Sequence, residues 1–121
     1  MTRAELFDFC LTAYGTSPDY PFEGDLKTAL LRHSASKKWY ALVMHLSPCR
    51  LGLSGEKHLD VVNLKLPTEM WGSFTPSEGV YPAYHMHKLH WVSVVLSQAT
   101  DELVRFLLHV SYQSTKGRKR K

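Results

Sequence analysis

Trp39-Tyr40-Ala41-Leu42-Val43-Met44-His45-Leu46 is the stretch that decides the fold. It is aromatic and aliphatic nearly throughout, and it reads as a strand with Tyr40, Leu42, Met44 and Leu46 on one face. Ahead of it Ser34-Ala35-Ser36-Lys37-Lys38 forms a short polar turn. Asp25–His33 precedes the turn as another strand, so the two runs make a β-hairpin. On the other side, Ser47–His58 holds Pro48, Gly52, Ser54 and Gly55 and reads as a loop. Leu59–Leu66, with Val61, Val62 and Leu64, is a third strand. Successive strands on short connections pair antiparallel.

Outward from this sheet, helices are expected at both ends. Thr2-Arg3-Ala4-Glu5 matches a capping box. Leu6, Phe9, Cys10, Ala13 and Tyr14 then recur at helical spacing until Gly15 stops them. Thr16–Gly24, with Pro18, Pro21 and Gly24, is a connecting loop. Pro67-Thr68-Glu69-Met70-Trp71 reads as the start of a short helix. Tyr81–His85 and His90–Ser97 are two more strands. Thr100 caps a last helix, with Asp101 and Glu102 suited to its dipole and a buried stripe of Leu103, Phe106, Leu107 and Val110. The element order is α-β-β-β-α-β-β-α. It predicts an α+β domain of two layers, a mainly antiparallel sheet with helices packed on one face. Residues 1–114 are expected to form that single domain and 115–121 a disordered basic tail.

At 121 residues the chain is long enough to bury a core without disulfide or metal staples. No run is apolar enough to span a membrane, and the N-terminal residues lack the apolar segment of a signal peptide. Two distant cysteines, Cys10 on the helix stripe and Cys49 in a loop, fit a reduced cytoplasmic protein. The formal net charge is +4, and Lys116, Arg118, Lys119, Arg120 and Lys121 carry five of the positive charges. Without them the remainder stands at −1, so the folded body is close to neutral and the basic character belongs to the tail.

Chemistry gathers in Tyr84-His85-Met86-His87-Lys88-Leu89-His90-Trp91, which holds three histidines, two aromatics and a lysine. Imidazole suits zinc, copper, iron and nickel, and His85, His87 and His90 would make a three-histidine site. Lys88 inside the cluster repels a divalent ion, and no acidic residue orients the histidines, so no metal and no cofactor is expected. Neither cysteine stands in a nucleophile motif, and there is no Gly-x-Ser-x-Gly or Gly-rich phosphate loop. No catalytic residue is assigned and an enzyme is not expected. Tyr84, His85, Lys88, His90 and Trp91 suit a surface that stacks bases and touches phosphates. Lys65, Lys37-Lys38 and the tail residues Lys116, Arg118, Lys119, Arg120 and Lys121 would extend it. The competing reading puts Tyr84 and Trp91 in the core with their polar ends hydrogen-bonded at its edge. Residue chemistry alone leaves both open.

Several separated motifs resemble the MmcQ/YjbR family of small bacterial proteins. Asp19-Tyr20-Pro21-Phe22 is similar to its early loop and Val62-Asn63-Leu64-Lys65 to its central strand, followed by a proline-led turn. The Tyr-His-Met, Lys and His-Trp parts of 84–91 match at the family spacing, and the last helix ends near Ser111-Tyr112. At His87 the family usually has asparagine. The resemblance runs from Thr2 to about Tyr112. It implies a frataxin-like (CyaY-like) domain of the α-β(3)-α-β(2)-α type with a double-wing motif. It also implies a DNA-binding role without enzymatic activity. A monomer or weak dimer is expected. A protein-interaction or chaperone-like adaptor is the alternative, and a metal-binding protein through His85, His87 and His90 the next.

Overall fold

The computed structural model describes residues 1–70, 72–84 and 90–116. Helix α1, Arg3–Tyr14, begins at the expected capping box: the Glu5 amide donates to Thr2 Oγ1 at 3.1 Å and the Thr2 amide to Glu5 Oε1 at 2.8 Å. Gly15, at φ 66°, ends it in the left-handed conformation that glycine adopts without steric penalty. The strands are β1 (Ala29–Arg32), β2 (Trp39–Leu46), β3 (Leu59–Lys65), β4 (Val80–Pro82) and β5 (Trp91–Val95), and helix α2 spans Asp101–Thr115. The described strands form one antiparallel sheet in the order β1-β2-β3-β5-β4.

Both helices lie on one face of this sheet. Leu6 and Cys10 of α1, with Val104, Leu107 and Leu108 of α2, bury against Leu31, Val43, Val62, Leu64 and Val94. Each such aliphatic side chain withdrawn from water contributes about 1.5–3 kcal/mol, so this layer dominates the stability. Ser111 adds a polar clasp within it. The Lys65 amide donates to Ser111 Oγ at 2.9 Å, and that hydroxyl donates to the Tyr40 carbonyl at 2.5 Å. One buried hydroxyl thus ties α2 to both β2 and β3. The opposite, open face carries a smaller cluster of Leu30, Leu42, Met44, Val61, Tyr81 and Val95.

The structure corrects the sequence expectations at several points. The helix expected at Pro67 is only a 3-10 turn, Thr68–Met70, and Gly72 follows with φ 79°. The α-β(3)-α-β(2)-α order therefore lacks its middle α-helix among the described residues. The first strand begins at Ala29 rather than Asp25, because the Asp25 carboxylate captures the amides of Lys27 and Thr28 at 2.9 Å each. A side chain that bonds the next backbone amides turns the chain instead of letting it pair. Tyr40 does not share a face with Leu42, Met44 and Leu46. The pairing Leu31 to Ala41 steps to Arg32 with Trp39, a β-bulge that turns Tyr40 into the helix-side core. Strand β4 ends at Pro82 and β5 at Val95, both earlier than expected. Helix α2 runs on to Thr115, whose buried hydroxyl lies 2.8 Å from His33 Nε2.

Candidate nucleic-acid interface

Of the expected site residues, Lys65, Tyr84, His90, Trp91 and Lys116 fall in the described structure. His85, His87, Lys88, Arg118, Lys119, Arg120 and Lys121 lie outside the described residues. The metal reading through His85, His87 and His90 therefore rests mostly on positions outside them. Among the described residues no group of three histidine, cysteine or acidic side chains is placed to hold a metal ion.

Lys65, Trp91 and Lys116 come together. Lys65 is the last residue of β3 and pairs directly with Trp91, the first of β5. Lys116 follows the last turn of α2, which the Ser111 clasp presses against these strand ends. The turn between β1 and β2 brings Lys38 and Trp39 to the same place. The five residues line a hollow of about 290 Å³ together with Ser114 and Thr115. Three lysines and two tryptophans, far apart in sequence, thus line one hollow. The C-terminus of α2 contributes roughly half a negative charge here. The three lysines outweigh it, so the hollow is cationic although the folded body as a whole is near neutral. The Lys116 ammonium also lies 5.8 Å from the centre of the Tyr112 ring, within cation–π range.

Tyr84 goes elsewhere. Its backbone is held on the open face by two buried side chains of the sheet. The Asn63 amide donates to the Tyr84 carbonyl at 2.8 Å, and the Tyr84 amide donates to Ser93 Oγ at 2.9 Å. The Ser93 hydroxyl donates to Asn63 Oδ1 at 2.5 Å, closing the network. The Tyr84 side chain is half-buried and packs against the open-face cluster, beside Leu42 and Met44. It does not line the hollow. His90 is exposed at the entry to β5, where its carbonyl accepts from the Leu66 amide at 2.8 Å. Trp39 borders both the hollow and the open-face cleft.

Sequence reasoning named Lys38 as an extension of the surface but passed over Trp39 as a site residue. It also passed over Asn63 and Ser93, which hold the backbone of Tyr84. The signal for Asn63 was an amide embedded in Val61-Val62-Asn63-Leu64, where a buried polar group demands partners.

The YjbR family model matches residues 11–114. An uncharacterized protein of Bacillus subtilis, YyaQ, is 42% identical over 117 residues, covering 96% of this chain and 99% of its own length. The crystal structure of a Pseudomonas syringae protein superimposes with a TM-score of 0.91 at 38% identity, covering 96% of this chain and 100% of the other. A solution structure from Pseudomonas syringae gives 0.88 at 37% identity, covering 100% and 98%. A Deinococcus radiodurans protein shares the fold, with a TM-score of 0.71 at 23% identity over 98% of this chain and 83% of the other.

Proposed function

The chain belongs to the YjbR family, and we propose that it is a DNA-binding protein that uses the cationic hollow at the end of its sheet. The observation that carries this reading is the convergence of Lys38, Lys65 and Lys116 with Trp39 and Trp91. Lysines contribute phosphate contacts that release counterions, and indoles offer flat faces to sugars or unpaired bases. Lys116 caps α2 at this corner, and Arg118, Lys119, Arg120 and Lys121 follow it in sequence as candidates for further phosphate contacts. In this reading the protein acts by binding, without catalysis or cofactor, in the cytoplasm, as a monomer or weak dimer. The frataxin-like, double-wing description also belongs with this reading, the turn between β1 and β2 serving as one wing.

The test is fluorescence anisotropy with a mixed-sequence DNA duplex at several salt concentrations. Wild type is compared with the triple variant Lys38→Ala, Lys65→Ala, Lys116→Ala, and with a chain ending after Lys116. Loss of three phosphate contacts lowers the slope of log affinity against log salt by about 2–3. Undiminished binding by the triple variant refutes the hollow as the site. Binding lost only on shortening the chain reduces the activity to the tail. Absence of binding by wild type turns attention to the adaptor reading, which the apolar floor of the open-face cleft supports.

A further inference from the structure

A second surface is independent of the hollow's role. Along β2, the open face carries a cleft of about 830 Å³, within the range of small-molecule sites. Its floor is apolar, made by Leu42, Met44 and Leu46, and Phe22 and Tyr84 line it as well. Beside Leu46 the lining includes Arg50, His45 and His58. The two imidazoles stack at 5.3 Å between ring centres. His45 Nδ1 lies 2.8 Å from Asp60 Oδ1, which orients the ring. The Arg50 guanidinium has no carboxylate partner among the described residues. The acidic part of the lining, Glu23 and Asp25, belongs to the segment ahead of β1, and the Asp25 carboxylate is committed to Lys27 and Thr28.

We propose that this cleft binds a small organic anion with an apolar body and one carboxylate head. The body lies on Leu42, Met44 and Leu46, and the head meets Arg50 and the His45–His58 pair. An apolar floor alone would accept any greasy molecule; the unpaired guanidinium selects the anion. Arg suits this task because its planar fork meets a carboxylate through two parallel hydrogen bonds.

The test is isothermal titration of the full chain with 2-naphthoate and decanoate, and with 2-naphthylmethylammonium as the matched cation. Both anions are expected to saturate one site per chain, with the cation at least tenfold weaker. Arg50→Ala, at an exposed position, is expected to weaken the anions at least tenfold while leaving the cation unchanged. Phe22→Ala, also exposed, should weaken all three. No saturable binding of either anion up to about 1 mM, a free energy of only about −4 kcal/mol, overturns the proposal. Equal affinity for anion and cation, or an Arg50→Ala protein that binds as wild type does, overturns it too. A ligand signal lost on Lys65→Ala but retained on Arg50→Ala would move the site to the hollow and refute the cleft.

Discussion

Ser93 donates its hydroxyl proton to Asn63 Oδ1 at 2.5 Å between neighbouring strands, and both side chains are fully buried. Between them they bind both backbone polar groups of Tyr84. Two polar residues in a hydrophobic sheet are therefore a fixed cradle for the start of the 84–91 segment. Asn63→Ala removes the amide that donates to the Tyr84 carbonyl and the oxygen that accepts the Ser93 hydroxyl proton. Each orphaned buried group costs about 1–3 kcal/mol. Urea denaturation should show a loss of about 2–4 kcal/mol for Asn63→Ala. Ser93→Ala should lose a similar amount, and the double variant less than the sum, since the two act as one network. Simple additivity would mean that the cradle is not a unit.

His33 ties the β1 end to the α2 end through Thr115. Burial holds its pKa below the ordinary value of 6.5, and the Lys116 and Lys38 charges push the same way, against a hydrogen bond to the Tyr112 backbone. The unfolded chain therefore takes up this proton first as pH falls. Below pH 6.5 the unfolded state binds more protons, so stability declines toward acid until the folded imidazole also titrates. Comparing denaturation midpoints between pH 7.5 and pH 5 should show a shallower decline for His33→Gln than for wild type. Parallel curves would remove His33 from the acid response.

The two thiols differ in reactivity. Cys10, on α1, is fully buried, and burial pushes its thiol up to about 11. Cys49 is exposed, with its sulfur 3.3 Å from Ser47 Oγ. The thiolate is the reactive species. At pH 8, Ellman's reagent should titrate one thiol per native chain, and the second only after unfolding. Rapid modification of both in native protein would contradict the packing of α1.

Gly79 closes the 3-10 turn Pro76–Glu78 with φ 88°, and a Cβ there would lie 2.8 Å from the Ala99 backbone nitrogen. Gly79→Ala combines left-handed strain with a backbone clash. It should lower stability by about 2–4 kcal/mol. Gly24→Ala, at φ 77° with open space around the added carbon, is the control and should lose only the strain. Equal losses would show that the approach to Ala99 contributes nothing.

Much of the fold was legible because local chemistry and tertiary structure agree. The Thr2–Glu5 capping box, the Gly15 stop and the Thr100 cap each act within a few residues, and all three appear as read. What failed depended on partners distant in sequence. Tyr40 alternates with Leu42 and Met44 along the chain, but the bulge opposite Arg32 turns it over. Asp25 stands before an apolar run, yet its carboxylate outcompetes the ladder for two amides. The helix expected at Pro67 had the right opening residue, but only the three-residue turn Thr68–Met70 follows it, and Gly72 follows in the left-handed conformation.

For the candidate site the division is sharper. By itself the sequence determined which residue types were available: the lysines, the indoles, the strand periodicity that pairs consecutive runs, and the buried amide of Asn63. Only the tertiary structure decided which of them meet. Lys38, Lys65 and Lys116 are 27 and 51 residues apart in succession, and nothing local relates them. The pairing of β3 with β5 sets Lys65 beside Trp91, and the Ser111 clasp brings the end of α2 to the same corner. The physical reason is that side-chain alternation and capping are short-range, whereas sheet order and helix docking are settled by the burial of one shared apolar face. Charges with no mutual attraction are carried to a common surface by the packing of the apolar residues between them.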